Sequence, residues 1–277
     1  MRPCGLKRKG CDLGSNPSRG IGFSLNKDLN LASLTFNMPL IITPKTYSKT
    51  RETIVNYFNA YKSEADFWHS NFKDFLYKAR INNKNLFILF TGYGEVSVGS
   101  GLIYGYEKLL RKYDDDQKAF YIGRCFITNQ TDADLNDIIM PTEAFSECSC
   151  AKDISERIKK ANPDEDVWKL DEEMREKLKK LAVDKKLKIY EGKIFCKETF
   201  FPDFWYPFAR GWGHEKGYIA GEVEAAAFAV SCHYIGIPGA ALLNVKDTIK
   251  RGRYEVVSGD EQIKSLKNIL YLIERSI

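Results

Sequence analysis

The chain has 277 residues, of which 44% are hydrophobic and 29% are charged, so it is long and apolar enough to bury a core. Its net charge of +5 comes from 42 basic residues scattered among 37 acidic ones, unlike the clustered positive charge of a nucleic-acid-binding protein. No apolar run reaches the roughly 20 residues of a membrane span. We therefore expect neither nucleic acid nor a membrane as a partner.

Cysteine and histidine usage predicts neither disulfides nor a metal site. The seven cysteines include no C-x-x-C pair, and their odd number in a long chain favours reduced thiols and a cytoplasmic location. The three histidines are not spaced as metal ligands usually are.

The first 37 residues differ in composition from the rest of the chain. They are rich in glycine, proline, serine and basic residues, without a helical or strand period. We interpret residues 1–37 as a disordered N-terminal extension and expect the functional domain to span residues 38–277.

From residue 38 onward, predicted strands and helices alternate. Strands are predicted over 39–44, 85–94, 118–127, 187–196 and 239–245, and helices over 50–62, 98–113, 164–186, 224–235 and 260–275. A further apolar segment, 135–145, follows the third strand. Short apolar strands that alternate with helices indicate an α/β fold in which helices cover both faces of a sheet.

Two segments near predicted strand ends contain residues that suit a ligand site. In "TGYGEVSVGS" (91–100), glycines between a strand and a helix allow backbone N–H groups to bind an anion, although a tight turn alone explains them. Asp247 ends the predicted strand "LLNVKD", where it is either a general acid or a turn-forming residue. In an extended strand, Lys246 would point away from Asp247.

Two glutamates precede the apolar helix in "GEVEAAAFAVSCHYIGIP" (221–238). Glu222 and Glu224 lie on one side of an extended backbone, with Glu224 at the helix start. They are either ordinary helix-start charges or ligands, because one carboxylate can accept from both hydroxyls of a ribose.

The segment 195–213 is the most aromatic part of the chain. It contains Phe200, Phe201, Phe204, Trp205, Tyr206, Phe208 and Trp212. Core packing, stacking on a planar base and an oligomer interface all use such residues.

The order of these features resembles the nucleoside phosphorylase superfamily, which contains purine nucleoside and uridine phosphorylases and related nucleosidases. The resemblance covers residues 39–277. It rests on "TGYGEVS", "YIGRCF", "DIIMPTEAF", "YEGKIFCKETFF" and the pair "GEVEAAAFAVSCHYIGIP" and "LLNVKD", which resemble the family's motifs in order. The resemblance implies a single three-layer domain with a central mixed, twisted sheet flanked by helices. It also implies a homo-oligomer.

The resemblance assigns a role to each candidate residue by position. Glu224 would bind the ribose hydroxyls, Val223 would pack on the sugar, and Phe200 and Glu198 would contact the base. Asp247 would protonate a purine base as it leaves. Phosphate would bind Gly92, Gly94, Ser97, Arg124 and Lys45.

The implied activity is phosphorolysis of a purine nucleoside to free base and ribose 1-phosphate, as in nucleotide salvage. Such a pentosyltransferase would bind a small-molecule nucleoside and phosphate as co-substrate, without a metal or organic cofactor.

The phosphate end departs from the family pattern. The first strand lacks Gly-Asp-Pro, and Tyr121 stands where an arginine usually lies two residues before the central glycine, with Arg124 just after that glycine. Two alternatives therefore stay open. They are a hydrolytic nucleosidase and a catalytically degenerate protein that binds nucleosides or forms an oligomeric scaffold.

Overall fold

A computed structural model describes residues 39–44, 48–62, 76–106, 117–128, 131–198, 202–250 and 253–277. The strands in these ranges are β1 (Leu40–Pro44), β2 (Tyr61–Lys62), β3 (Leu76–Ile81), β4 (Lys84–Thr91), β5 (Ala119–Ile127), β6 (Ile138–Ser146), β7 (Ile189–Cys196), β8 (Tyr218–Glu222), β9 (Gly239–Lys250) and β10 (Arg253–Val256). The helices are α1 (Ser48–Tyr57), α2 (Glu95–Gly105), α3 (Ser149–Ala161), α4 (Glu172–Asp184), α5 (Pro202–Arg210), α6 (Trp212–Glu215), α7 (Ala225–Ile235) and α8 (Gly259–Ser276).

All the described strands belong to one mixed sheet. Its order is β10-β9-β6-β7-β8-β5-β1-β4-β3-β2, and β9 also pairs with β5. The strands β5, β9, β6, β7 and β8 therefore pair in a closed ring, whereas β1 to β4 extend the sheet from β5. The ring brings β5, β8 and β9 side by side, which places the carboxyl end of β5 between the ends of two neighbours.

Helices cover both faces of the sheet because successive strand residues point to opposite sides. In β1, Leu40 and Ile42 join the core beneath α2, α3 and α7, whereas Ile41 joins the core beneath α1, α4 and α8. The α/β prediction of a mixed sheet flanked by helices is confirmed. None of the helices in the described ranges combines the length and apolar character needed to cross a membrane.

The predicted helix 164–186 is too long. Its helical part is α4, and Asp171 caps it by accepting the Met174 N–H at 2.7 Å. The residues before it bond to β6 instead, where Ala144 N–H donates to Trp168 O and Leu170 N–H donates to Thr142 O. This extended segment also buries apolar side chains. The apolar spacing therefore begins before the helix does, which is why the predicted helix is too long.

Several elements have no counterpart in the sequence predictions, namely β2, β3, β8, β10, α3 and the short helices α5 and α6. Strands β3 and β4 form a hairpin through Asn82 and Asn83, which both adopt positive φ angles of 49° and 63°. Asparagine tolerates this left-handed conformation, which a two-residue hairpin turn requires. The predicted extension, residues 1–37, lies outside the described residues, so that boundary stays a prediction.

Candidate active site

The candidate site lies where α7 begins, directly after β8. Glu222 is the last residue of β8, and Glu224 occupies the N-cap position of α7. The first eight residues of α7 are all buried, and the two glutamates are each only 3% exposed. Carboxylates buried this deeply need hydrogen-bond partners. The interpretation of Glu222 and Glu224 as ordinary charged residues at an exposed helix start therefore does not apply.

Glu222 anchors the start of α7. Its Oε2 accepts the backbone N–H groups of Glu224 at 2.5 Å and Ala225 at 2.6 Å, and the Cys196 thiol lies 3.5 Å away. All three donors share one oxygen of the carboxylate, and the two N–H groups are ones that the first turn of a helix leaves without a partner. Glu222 is therefore a supporting carboxylate that holds the helix start in place.

Tyr121 of β5 connects the two glutamates. Its hydroxyl donates to Glu222 Oε1 at 2.6 Å, and its oxygen lies 3.1 Å from Glu224 Oε2. The ring is fully buried and lies across Gly123, where a Cβ would come within 2.6 Å of Tyr121 Cε1. The missing side chain at position 123 therefore allows the ring to run along the strand and reach the glutamates.

Burial and mutual repulsion favour a proton on at least one of the two carboxyl groups. Burial, with the nearby Glu222 carboxylate as the second cause, raises the pKa of Glu224 to about 9. Burial also raises the pKa of Glu222, although its donors oppose this effect. The physical reason is that two charges this close, without water around them, are too costly.

The glycine turn after β4 closes against these carboxylates. The Gly94 N–H donates to Glu224 Oε1 and the Glu95 N–H donates to Glu198 Oε1, both at 2.9 Å. Gly94 has a φ of +91°, which glycine adopts without strain. The N–H groups of Gly94 and Glu95, at a helix N-terminus suited to an anion, therefore bind carboxylates of the chain itself.

Ser97, a further predicted phosphate ligand of this turn, also has a partner within it. Ser97 Oγ donates to Tyr93 O at 3.0 Å and lies over Gly92, where a Cβ would be 2.8 Å from the hydroxyl oxygen. Lys45 lies outside the described residues. A phosphate role for Gly92, Ser97 and Lys45 stays a prediction.

Arg124 does not stand in for an arginine at the Tyr121 position. Its Nη2 donates to Thr50 Oγ1 of α1 at 2.8 Å, on the face of the sheet to which Phe120 and Ile122 also point. Tyr121 points to the opposite face, toward α7. In a strand, side chains lie on the same face only when they are an even number of residues apart. Tyr121 and Arg124 are three residues apart, so their side chains lie on opposite faces of the sheet.

Asp247 forms an ion pair with its neighbour in sequence. Lys246 Nζ lies 3.6 Å from Asp247 Oδ2, so the interpretation that Lys246 points away is wrong. The reason is a bulge: Val245 pairs with Cys125 and Asp247 pairs with Phe126, which leaves Lys246 as an extra residue. A bulge interrupts the alternation of side chains along a strand.

Asp247 and the glutamates flank the same point of β5. Phe126 pairs with Asp247 on one side and with Gly221 on the other. The backbones of Gly221 and Asp247 are therefore about two strand spacings, or roughly 10 Å, apart. The pKa of the Cys125 thiol is raised first by burial and then by the charges of Glu222 and Asp247, as expected for a residue between them.

The remaining predicted ligands, Val223 for the sugar and Phe200 and Glu198 for the base, are only partly described. Phe200 lies outside the described residues, Val223 is 2% exposed, and Glu198 is exposed apart from its bond to the glycine turn. Nearby, the Trp205 indole packs directly on Gly221, whose Cβ would come within 2.1 Å of the ring. Phe195, Trp205 and Phe208 form a buried aromatic cluster, so core packing accounts for these three residues.

Sequence reasoning assigned no role to Tyr121 or to Glu95, and both belong to this region. The signal for Tyr121 is its position two residues before a strand glycine, which leaves room for a large ring. Glu95 is the first residue of α2, is fully buried, and accepts the Ala151 N–H of α3 at 3.2 Å. Burial raises the pKa of Glu95 to about 7, to which the carboxylates of Glu198 and Glu222 also contribute.

Replacing Glu95 by glutamine is expected to stabilise the protein much more at pH 8 than at pH 5. The folded chain binds the Glu95 proton more tightly than the unfolded chain, whose carboxyl has an ordinary pKa of 4.5. The free energy of unfolding therefore falls as the pH rises from 4.5 to 7, and glutamine removes this loss. The expected gain at pH 8 is about 1–3 kcal/mol.

Urea unfolding at pH 5 and pH 8 measures this difference, with the exposed Glu173 changed to glutamine as the control. An equal change in stability at both pH values would show that Glu95 is not held protonated by burial.

Two sequence matches relate this chain to known proteins. Residues 127–273, more than half of the chain, match the sequence model described as the Phosphorylase superfamily. A purine nucleoside phosphorylase of the DeoD type from Mycoplasma genitalium is 26% identical over 198 residues, which cover 72% of this chain and 77% of that protein.

Solved structures share the fold. The 5′-methylthioadenosine/S-adenosylhomocysteine nucleosidase of Campylobacter jejuni superposes with a TM-score of 0.65 at 16% identity, covering 87% of this chain and 98% of that one. A futalosine hydrolase mutant of Helicobacter pylori has a TM-score of 0.62 at 15% identity, covering 86% and 99%. At these identities the similarity shows the fold alone.

Proposed function

The chain belongs to the phosphorylase superfamily, and on that premise we propose that it cleaves the N-glycosidic bond of a purine nucleoside. The observation that carries the proposal is the pair formed by Glu224 and Asp247 on either side of the end of β5. Glu224 would hold the sugar, and Asp247 would protonate the base as it leaves.

The role of Glu224 follows from its remaining acceptor capacity. An ionised carboxylate has about four acceptor positions, of which the Gly94 N–H and the Tyr121 hydroxyl use two. The 2′- and 3′-hydroxyls of a ribose would supply two further donors. A negative charge beside the sugar stabilises the oxocarbenium character that develops when the glycosidic bond breaks.

Asp247 would act as the general acid. Protonation of the purine turns an anionic leaving group into a neutral one, which lowers the barrier. The Lys246 ammonium lies 3.6 Å from this carboxylate, so we propose that Lys246 is displaced when Asp247 takes up the proton that it donates.

Water is the acceptor that this geometry favours. The N–H groups of Gly94 and Glu95 bind the carboxyl groups of Glu224 and Glu198, and the Glu222 carboxyl group accepts the Glu224 N–H. An anionic phosphate would have to displace these carboxylates and then tolerate their charge. A neutral water molecule has no such cost, so we propose hydrolysis to the free base and ribose.

Phosphorolysis is the second candidate, in which the chain would act as a pentosyltransferase. It is favoured by the sequence similarity to the DeoD-type phosphorylase of Mycoplasma genitalium and by the glycine turn at the start of α2. In this case phosphate would bind Gly92, Ser97 and Lys45 after the turn has opened away from Glu224.

A phosphate-dependence assay separates the candidates. The protein is incubated with inosine, adenosine, methylthioadenosine or uridine, with and without phosphate, and the released base is measured. We expect release from a purine nucleoside without phosphate. Release only with phosphate would establish phosphorolysis instead, and release from uridine alone would contradict the purine preference. No release, together with a nucleoside-dependent rise in Tm, would indicate a binding protein without turnover.

A further inference from the structure

Two buried glutamates share one hydroxyl group in this structure. The Tyr121 oxygen lies 2.6 Å from Glu222 Oε1 and 3.1 Å from Glu224 Oε2, and none of the three side chains is more than 3% exposed. A phenol has a single proton, so it donates to only one of the two carboxyl groups. Its oxygen can accept a hydrogen bond from the other if that one is protonated.

The contacts favour Glu224 over Glu222 as the carboxyl group that carries the proton. Glu222 accepts four donors, the Tyr121 hydroxyl, the Cys196 thiol and two backbone N–H groups at the positive end of α7, and these favour the charged form. Glu224 has one backbone donor, Gly94, and the longer contact to Tyr121. The arrangement is satisfied when Glu224 is neutral and donates to Tyr121, which donates to Glu222. The raised pKa of Glu224 agrees with this assignment.

Sugar binding requires the opposite arrangement, which is where the inference rests on the proposed function. Two ribose hydroxyls are donors, and a neutral Glu224 would present one O–H among its oxygens, whereas a carboxylate presents only acceptors. The proton of Glu224 therefore has to leave as the sugar arrives. The carboxyl group is buried beside Glu222, and the Tyr121 hydroxyl lies within hydrogen-bond distance of both carboxyl groups.

We propose that Tyr121 relays a proton from Glu224 to Glu222 when a nucleoside binds. The O–H bond of Glu224 breaks as the phenolic oxygen accepts its proton, and the original O–H bond of Tyr121 breaks as Glu222 Oε1 accepts that one. Tyr121 is neutral before and after the step, and no proton enters or leaves the protein. The negative charge moves from Glu222 to Glu224, beside the sugar, only when a sugar is present.

Other titratable groups around the pair are arranged to keep it at one negative charge. Glu198 from the loop after β7 adds negative charge, Glu95 from α2 adds more only as it ionises near pH 7, and Asp247 lies beyond Cys125 on β9. The thiols of Cys196 and Cys125 face Glu222 from β7 and β5, and burial raises the pKa of each well above its ordinary value, so both stay neutral. Tyr121 itself is kept neutral by burial and by both glutamates.

Tyr121→Phe tests the relay because it keeps the ring over Gly123 and removes only the hydroxyl. The side-chain carboxyl carbons of glutamate are labelled with ¹³C, and the Glu222 and Glu224 signals are assigned from the Glu→Gln variants. In the free protein, we expect Glu224 to titrate above pH 7 and its transition to fall by about one pH unit in Tyr121→Phe. The singly charged pair loses two hydrogen bonds through Tyr121, whereas the doubly charged pair loses only one. The pH dependence of kcat/KM should shift in the same direction.

The relay itself is observed by adding inosine to the Asp247→Asn variant, in which turnover is slow. We expect the Glu224 signal to move toward the carboxylate position and the Glu222 signal toward the protonated position. The heat of binding should not depend on the ionisation enthalpy of the buffer, because no net proton is exchanged. A buffer-dependent heat with an unchanged Glu222 signal would overturn the relay.

Tyr57→Phe is the matched control, since Tyr57 also donates to a glutamate, Glu274 at 2.8 Å, but between α1 and α8. It should leave the Glu224 titration and the pH profile unchanged.

If no nucleoside binds to the wild type, the proposed function fails. In that case the titration of the free protein still tests the hydrogen-bond chain from Glu224 through Tyr121 to Glu222. A Glu224 transition at the same pH in Tyr121→Phe and the wild type would contradict this chain. If Tyr121→Phe does not fold, the inosine experiment decides, since it keeps Tyr121.

Discussion

Replacing Glu224 by glutamine is expected to lower kcat/KM for a purine nucleoside by about 100-fold or more. Glutamine keeps one acceptor for a ribose hydroxyl but loses the negative charge that would stabilise the oxocarbenium-like sugar in the transition state. Losing one such electrostatic contact typically costs about 10²–10³ in rate. Because the charge acts mainly in the transition state, most of the loss should be in kcat rather than in KM.

Initial rates of base release over a range of nucleoside concentrations measure both constants. Glu165→Gln is a suitable control, because Glu165 is a half-buried glutamate that also contacts α7, through His233 at the opposite end of the helix. A kcat/KM within a few-fold of the wild type in Glu224→Gln would remove Glu224 from the site. Melting temperatures of both variants show whether a loss of folding contributes.

Replacing Asp247 by asparagine is expected to lower kcat by about 10²–10⁴-fold for a nucleoside whose base needs protonation, the range typical of general acid catalysis. Asparagine is nearly the same size but has no acidic proton. The loss should be much smaller with nitrophenyl riboside, since nitrophenolate leaves without being protonated. The contrast between the two substrates therefore separates a lost proton donor from a damaged site.

The control for this variant is Asp171→Asn. The Asp171 N–H donates to Gly239 O, at the start of the strand that carries Asp247 near its other end, and asparagine caps a helix as well as aspartate does. An equal loss with both substrates in Asp247→Asn would mean that Asp247 supports the structure rather than the proton transfer.

The order of the main elements and the position of the two glutamates were predictable from the sequence. Apolar strands such as 39–44 and 118–127 were found within one residue at each end, because a strand buried on both faces excludes polar side chains over its length. The start of α7 was predicted equally well, since an apolar helix next to two carboxylates marks a buried helix end. The strands β3 and β8 were missed, although the Asn82-Asn83 pair is a recognisable hairpin signal.

The partners of the site residues were not predictable. The bulge that brings Lys246 to Asp247 depends on how β9 pairs with β5, and no residue of β9 alone indicates it. Arg124 was assigned to the site because it neighbours Gly123 in the chain, whereas the pleat of β5 directs its side chain to the other face of the sheet. Arg124 thus lies away from the site although it is next to Gly123 in sequence. Tyr121 contacts Glu222 and Glu224, which are far from it in sequence.

Periodicity and composition are local properties, and they are sufficient to predict which segments are buried, where a helix starts and which residue types lie at a strand end. The chemistry of this site instead depends on distances between chain segments. Tyr121 reaches Glu222 and Glu224 only because β5 pairs with β8 and because Gly123 leaves room for the ring. Two carboxyl groups become a proton-holding pair only when folding removes the water between them. That desolvation arises from the packing of α2, α7 and the sheet, which no stretch of sequence contains by itself.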